Sequence, residues 1–179
     1  MIYWGIKQSM KTVFVRFWGI LFLSLFIQGC AIQMTFDGAS IPENVRTASV
    51  QTFDNRAAYI NPVLSQTLTE ELKDRVINGS RLTLAEETGD VDFSGEITGY
   101  ETTPQAIQAD AVSAETRLTV RINVRYENFK DPEKSWESSF SAYRDFPSEQ
   151  NITSIEDELV SEIVEELTEN IFNKAFADW

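Results

Sequence analysis

The alternation of apolar and polar residues predicts a sheet. Between residues 115 and 128 every second side chain is apolar, which is the period of a half-buried strand. The apolar set is Leu118, Val120, Ile122, Val124 and Tyr126. The same period predicts a strand over 90–100, with its odd-numbered residues, including Gly99, on the apolar face. A turn at 130–133 and a return strand over 136–142 complete a predicted antiparallel hairpin.

Two segments show the helical period instead. In the first, every fourth residue is apolar: Leu64, Leu68, Leu72 and Val76. Asn61-Pro62 before this stripe is a helix start signal and Asn78-Gly79 after it is a stop signal, so we predict a helix over 62–78. A second stripe predicts a final helix over 155–174. Its members are Ile155, Leu159, Ile163, Leu167 and Ile171.

The order of these elements predicts the fold class. Apolar segments at 45–53 and 81–85 indicate two more strands, so the order is β-α-β-β-β-β-α. Each helix has one apolar stripe and each strand one apolar face. This favours an α+β fold, a two-layer sandwich with two helices packed on one face of a mostly antiparallel four- to five-stranded sheet. Residues 101–114, which contain Pro104 and show no clean period, are predicted to form a long loop.

The first thirty residues have the pattern of a targeting segment. They carry three basic residues and no acid, and residues 17–27 form an eleven-residue apolar run. That run has the length of a signal-peptide core and is too short to cross a bilayer, which takes about 20 apolar residues. It ends in Ile27-Gln28-Gly29-Cys30, which resembles the lipobox of bacterial lipoproteins. We therefore predict a signal peptide over 1–29 and a tether over 30–44, with a covalent lipid on Cys30.

This interpretation of the first thirty residues leaves two alternatives open. The segment could be an uncleaved anchor with an incidental cysteine, and translation could start at Met10 rather than Met1. Cleavage before Cys30 removes three positive charges and changes the formal charge from −13 to −16. Ala31 follows the cysteine where an inner-membrane retention signal has Asp. By resemblance to the sorting rule of enteric bacteria, this predicts an outer-membrane lipoprotein on the periplasmic side.

The composition excludes several kinds of chemistry. Among the 179 residues there is no histidine and only one cysteine. A serine or cysteine nucleophile activated by histidine is therefore excluded, as are a histidine-ligated metal site, an internal disulfide and a CxxC zinc or redox site. The formal charge of −13 argues against a nucleic-acid-binding role, because contact with phosphates needs a basic surface.

A row of arginines is the strongest candidate for ligand binding. Arg117, Arg121 and Arg125 share the polar face of the predicted strand over 115–128, and Lys130 follows in the turn. Arginine binds phosphate through two parallel hydrogen bonds, so the row could hold an anionic ligand. The alternative is a solvated face of cross-strand ion pairs, with acids such as Glu96 or Glu137 as partners. Both interpretations stay open at this stage.

The final helix carries a run of acids and a cluster of aromatics, each with two interpretations. Seven carboxylates could serve catalysis or a metal ion, but they occupy the polar face of an amphipathic helix, where solvated acids are expected. They are Glu156, Asp157, Glu158, Glu162, Glu165, Glu166 and Glu169. The aromatics Phe172, Phe176 and Trp179 could contact a membrane or a partner, but large apolar residues on a helix stripe usually close the core.

Several stretches of the predicted mature chain resemble the LptE family of lipopolysaccharide-assembly lipoproteins. The resemblance rests on their joint order and spacing from residue 36 to residue 179, and it includes no catalytic motif. The stretches are FDGASIPENVRTASVQTF (36–53), NPVLSQTLTEELKDR (61–75), FSGEITGY (93–100), TPQAIQ (103–108), FSAYRDFP (140–147) and NIFNKAFADW (170–179). The resemblance implies a single LptE-like domain over 45–179, with two helices against a small sheet.

The resemblance also implies a function. LptE-like proteins help a large outer-membrane β-barrel, LptD, to assemble, plug its lumen and assist delivery of lipopolysaccharide to the cell surface. We therefore expect a non-enzymatic protein whose partners are an LptD-type barrel and lipopolysaccharide, with no metal and no cofactor except the lipid on Cys30. The alternative is a periplasm-facing lipoprotein that binds another anionic envelope lipid or partner without LptD. An enzyme acting on envelope glycans would rest only on the abundant carboxylates.

Overall fold

The computed structural model describes residues 41–59, 61–105 and 114–177, and they form two helices packed against a six-stranded sheet. Two short 3-10 turns lie at Pro132–Lys134 and Ile152–Ser154. The elements, in chain order, are β1 (Thr47–Val50), β2 (Asp54–Asn55), α1 (Leu64–Gly79), β3 (Thr83–Leu84), β4 (Val91–Pro104), β5 (Glu115–Asn128), β6 (Trp136–Pro147) and α2 (Glu156–Phe176).

The predicted α+β fold is confirmed, and the sheet is mixed. The strand order is β3-β1-β4-β5-β6, and β2 also pairs with β4. Strands β4, β5 and β6 are antiparallel, whereas β1 runs parallel to β3 and β4. The parallel part follows from α1, because a helix between two strands allows the chain to return and pair in the same direction. The additional strand, β2, has only two residues, too few to give a period in the sequence.

The predicted core is confirmed on both layers. α1 packs against β1, β2 and β3, α2 packs against β5 and β6, and the two helices contact each other. The stripe of α1 is fully buried, as are the inward residues of β5. Asn61 prepares the start of α1, because its Oδ1 accepts hydrogen bonds of 3.0 Å from the backbone N–H groups of Val63 and Leu64.

A β-bulge in β4 changes the predicted alternation. Ile97 pairs with Ile122, but the next pair is Gly99 with Arg121, so Thr98 is an extra residue. Tyr100 consequently joins the inner face, and Gly99 lies on the outer face beneath the side chain of Arg121. The prediction that Gly99 belongs to the apolar face was therefore wrong.

The predicted loop over 101–114 is shorter than expected. Residues 101–104 belong to β4 and pair with the start of β5, and the backbone N–H of Gln105 donates to the carbonyl of Glu115 at 2.8 Å. Residues 101–104 are all exposed, whichever face of the sheet they lie on. Their sequence therefore shows no alternation of apolar and polar residues. Residues 106–113 lie outside the described ranges.

The aromatic end of α2 closes the core. Phe176 is buried, and its ring centroid lies 5.9 Å from that of Phe93 and 6.1 Å from that of Tyr126. Phe172 is partly buried beside it, whereas Trp179 lies outside the described residues. The core interpretation is therefore confirmed for Phe176. Neither helix in the described ranges is long and apolar enough to cross a membrane.

Candidate functional site

The outer face of the sheet, opposite the helices, carries the arginine row. Because alternate residues of β5 point to opposite faces, Arg117, Arg121 and Arg125 lie together on this outer face. The cross-strand register places residues of β4 and β6 beside each arginine. In the structure each of the three is paired with a carboxylate of a neighbouring strand.

Arg117 makes the most complete pair of the row. It lies directly opposite Asp145 on β6, and its Nε and Nη2 atoms donate to the two carboxylate oxygens at 2.7 and 2.8 Å. The guanidinium also stacks on Tyr143, with its central carbon 3.7 Å from the ring centroid. The hydrogen bonds from Arg117 lower the pKa of the Asp145 carboxyl and keep it charged. This planar, two-fold contact is the geometry that a carboxylate or phosphate ligand would need.

The other two arginines are paired in a similar way. Arg121 donates to both oxygens of Glu101 at 2.9 and 3.1 Å, and this hydrogen bonding lowers the pKa of the Glu101 carboxyl. Gly99 contributes to the pair, because the absence of a side chain leaves room for the guanidinium above the strand. Arg125 donates to Glu137, directly opposite on β6, at 3.1 Å.

Lys130 belongs to a different group of residues. Its Nζ lies 3.0 Å from Asp90 Oδ1, at the turn that follows β5. Asp90 also accepts the backbone N–H groups of Arg46 at 2.8 Å and Thr47 at 3.1 Å. The bond from Arg46, followed by that from Lys130, holds the pKa of Asp90 well below its usual range. Lys130 therefore connects the β5–β6 turn to Asp90, which also binds the start of β1. It does not lie with the arginine row.

The outer face is therefore a set of ion pairs rather than a positive stripe. One of the expected partners, Glu137, does pair with the row, whereas Glu96 pairs with Arg56 at 3.1 Å. An anionic ligand at this face would have to displace or rearrange the carboxylates. Ligand binding by Arg117, Arg121, Arg125 and Lys130 remains a prediction.

The acidic face of α2 has partners that the sequence analysis did not anticipate. Arg144 lies at an inward position of β6, and its Nε and Nη1 atoms contact Glu162 at 2.8 Å and Glu166 at 2.6 Å. Arg75 of α1 lies 3.5 Å from Glu169. The sequence does carry a signal for this contact, because Arg144 is a basic residue at a position of the strand where the alternation calls for an apolar one. The described part of the chain contains no group of three or more acids or cysteines placed to hold a metal ion.

The structure also contains a pocket of about 240 Å³ that the sequence did not predict. We call it the lysine pocket, and it lies between the segment 41–45, the start of β6 and the end of α2. Its aromatic surface comes from Tyr126, Trp136 and Phe176, and its charged groups are Lys134 and Lys174. These residues come from three distant parts of the sequence, so no local pattern indicates the pocket. Cys30, the predicted lipidation site, lies outside the described ranges.

Comparison with known proteins identifies a family for this domain. The family model described as "LptE: Lipopolysaccharide-assembly" matches residues 45–175. A search of curated proteins found no matching relative.

The comparison with solved structures includes one match with a TM-score above 0.5 and others below it. A hypothetical protein of Chlamydia trachomatis is similar with a TM-score of 0.53 at 11% identity, over 73% of this chain and 98% of that chain. A minor lipoprotein of Acinetobacter baumannii gives a TM-score of 0.47 at 14% identity, over 73% and 92%. An uncharacterized lipoprotein B of Nitrosomonas europaea gives 0.47 at 12% identity, over 72% and 80%.

Proposed function

This chain belongs to the LptE family of lipopolysaccharide-assembly proteins, and from that premise we propose that it partners and plugs an LptD-type β-barrel of the outer membrane. The observation that carries the proposal is the extent of the family match, residues 45–175, which covers every strand and nearly all of α2. In this proposal the protein assists the barrel in moving lipopolysaccharide to the cell surface. Its role is binding and assembly rather than catalysis.

The sequence before the domain supports a lipid anchor on Cys30. The cysteine follows a short apolar run in a lipobox-like motif. Between Cys30 and Ile41 the chain reaches at most about 40 Å when fully extended, at 3.3–3.6 Å per residue. Acyl chains on Cys30 would therefore hold the domain close to the periplasmic side of the outer membrane, where a barrel opens.

The polar surface of the domain suits the lumen of a barrel. Barrel interiors are polar and filled with water, so a plug needs a surface that is stable when hydrated. The outer face of β4, β5 and β6 presents ion pairs and hydroxyl groups. Large exposed apolar side chains are distributed over several elements: Tyr59, Val63, Ile77, Leu84, Phe129 and Tyr143.

Affinity purification from membranes tests the barrel partnership. The full chain, tagged at its C-terminus, is extracted from native membranes in a mild detergent and its partners are identified by mass spectrometry. We expect a large outer-membrane β-barrel in amounts comparable to the tagged protein. The Cys30→Ala variant is the matched control for the anchor and should lose both acylation and membrane retention. Recovery of the acylated protein without any large barrel would contradict the proposal.

Photo-crosslinking maps the surface that contacts the barrel. A photoreactive residue is placed at Asn123 or Ser141 on the outer sheet face, and at Glu158 or Glu165 on the exposed side of α2. If the polar sheet face lines the contact, the first pair crosslinks to the barrel and the second pair does not. The reverse result would assign the contact to α2 and leave the partnership intact.

Direct lipopolysaccharide binding at the arginine row is a second, separable candidate, favoured by three arginines on one face. It includes the alternative of another anionic envelope lipid bound without LptD. Replacing Arg117, Arg121 and Arg125 by Ser should weaken lipopolysaccharide binding and lower its dependence on salt, since fewer ionic contacts form. Binding that is unchanged in affinity and salt dependence would reject this face.

A further inference from the structure

Among the residues that the structure describes, the lining of the lysine pocket contains no acid, although the whole chain has a formal charge of −13. Lys134 and Lys174 line it, and neither has a carboxylate partner within the described ranges, whereas Lys73 and Lys130 are both ion-paired. Overall negative charge repels anions from most of the surface. This pocket is therefore a local exception where an anionic group gains attraction from two ammonium groups.

Trp136 adds a hydrogen-bond donor that lacks an acceptor. Its indole Nε1 is buried and has no hydrogen-bond partner among the residues that the structure describes. Native proteins leave few buried donors unpaired, because such a group loses water without gaining a partner. The indole ring is held in place by Tyr126, which stacks on it at 5.5 Å, and by Lys174, whose Nζ lies 5.3 Å from the ring centroid. The indole ring and the ammonium group of Lys174 thus belong to one aromatic cluster.

The pocket opens beside the segment that leads to the predicted anchor. Ile41, Pro42 and Val45 form part of its lining, and Cys30 lies eleven residues before Ile41. A short tether to the membrane keeps the domain at a high effective concentration of lipid headgroups. With the proposed anchor on Cys30, lipid headgroups would be concentrated near this pocket although the protein as a whole is acidic.

We propose that the lysine pocket binds the phosphate group of an anionic lipid in the membrane that anchors Cys30. Lys134 and Lys174 pair with the phosphate, and the apolar part of the lipid contacts Tyr126 and Phe176, while the Trp136 ring beside Lys174 senses the bound anion. The proposal rests on the lipid anchor of the proposed function. It assigns the ligand to residues outside the arginine row.

The resonance of the Trp136 indole N–H provides a direct test. The mature acylated protein is labelled with ¹⁵N-tryptophan in a neutral detergent, and the peak is assigned with the Trp136→Phe variant. The probes are dihexanoyl phosphatidic acid, dihexanoyl phosphatidylcholine and inorganic phosphate. We expect phosphatidic acid to move the Trp136 peak in a saturable way, at least tenfold more tightly than inorganic phosphate, and phosphatidylcholine to have little effect.

The outcomes with these probes separate the sources of the ligand. Equal affinity for inorganic phosphate and phosphatidic acid would overturn the lipid assignment in favour of free phosphate. Equal effects of phosphatidylcholine and phosphatidic acid would show an apolar contact only and overturn the anion site. A Trp136 peak that none of the three moves would overturn the proposal altogether.

Substitution of the two lysines completes the test. Lys134→Gln with Lys174→Gln should weaken phosphatidic acid binding at least tenfold. The matched control is Lys73→Gln with Arg75→Gln, which removes the same charge from α1, and it should leave the affinity unchanged. Comparable losses in both double variants would mean that net charge alone matters and would reject the site.

A separate measurement distinguishes failure of this proposal from failure of the barrel partnership. The double lysine variant should still recover the barrel in the affinity purification. If the wild type recovers no barrel while the Trp136 peak responds as expected, the partnership fails and the lipid site stands. If the barrel is recovered and the peak does not respond, the lipid site fails alone.

Discussion

The arginine row and the lysine pocket are two basic regions of one acidic protein, and they differ in what surrounds the charge. The row has three arginines, and each is neutralised by a carboxylate of a neighbouring strand. The pocket has two lysines, and among the described residues no acid lines it and no acceptor pairs with the buried indole N–H of Trp136. The pairing of basic residues, rather than their number, therefore indicates where an anion can bind.

The difference arises from how each region is assembled. In the row, the antiparallel register places an acid directly opposite Arg117 and Arg125 and another diagonally across from Arg121, so each arginine has a carboxylate neighbour. In the pocket, three distant segments meet at the end of the sheet. Lys134 and Lys174 both lie outside the strands, so no cross-strand register places an acid beside them among the described residues.

Removing an aromatic wall of the pocket should have the largest effect. Phe176→Ala deletes a buried ring that contacts Phe93 and Tyr126, and we expect a loss of about 3–5 kcal/mol in the free energy of unfolding. Urea unfolding monitored by circular dichroism measures the loss. The control is Phe129→Ala, where the ring is 52% exposed and the expected change is below about 0.5 kcal/mol. Similar losses in the two variants would contradict the packing described for α2.

A methyl group at Gly95 should have the next largest effect. A Cβ there would lie 2.2 Å from the carbonyl oxygen of Asn123 and 2.8 Å from the ring of Phe53, so β4 and β5 would have to separate. We expect Gly95→Ala to cost about 1–3 kcal/mol by overpacking, measured by the same urea titration. Gly99→Ala is the matched control, since its nearest contact at 3.1 Å is the far end of the long Arg121 side chain, which can shift more easily than a backbone carbonyl. A larger loss in the free energy of unfolding for Gly99→Ala than for Gly95→Ala would contradict the close packing described at Gly95.

Removing the carboxylates that pair with the arginines should allow the arginine row to bind an anion, as proposed for the lysine pocket. Asp145→Asn with Glu101→Gln leaves Arg117 and Arg121 without their carboxylates. We expect dihexanoyl phosphatidic acid to bind the outer face several-fold more tightly at low salt, and the gain to disappear at high salt. Titration calorimetry measures the affinity. Glu158→Gln with Glu165→Gln changes the net charge equally on α2 and should give no gain; an equal gain would refute the role of local pairing.

The smallest effect concerns pH. The pKa values of Asp145 and Glu101 are lowered below 3.8 and 4.5 in the folded protein by their arginines. Each pair therefore stabilises the fold fully above the unfolded-state pKa, and this contribution is lost as the pH falls through the lower folded-state pKa. Arg117→Gln with Arg121→Gln should flatten the decline in stability between pH 5 and pH 3, about the range of those values. An unchanged slope would show that the pairs contribute nothing measurable.

The sequence predicts regular features of this fold well and irregular ones poorly. The stripe of α1 and the inward residues of β5 recur at fixed periods, and the structure buries them as expected. The bulge at Thr98 and the exposed end of β4 depend on pairing with β5, which leaves no trace in apolar periodicity. The arginine row could be predicted from the sequence because its three members lie on one strand. The lysine pocket was not, because its residues meet only in three dimensions.

Arg144 has a consequence for how the protein behaves before it meets a partner. It lies on β6, the last strand of the sheet, where unpaired backbone groups invite a strand from another molecule. Arg144 donates to the backbone carbonyl of Tyr143 at 2.8 Å and binds Glu162 and Glu166 on α2. An inward-facing charge at a terminal strand is a natural safeguard against aggregation, because an incoming strand must first disrupt it. Arg144 therefore opposes edge-to-edge pairing between two copies of this domain.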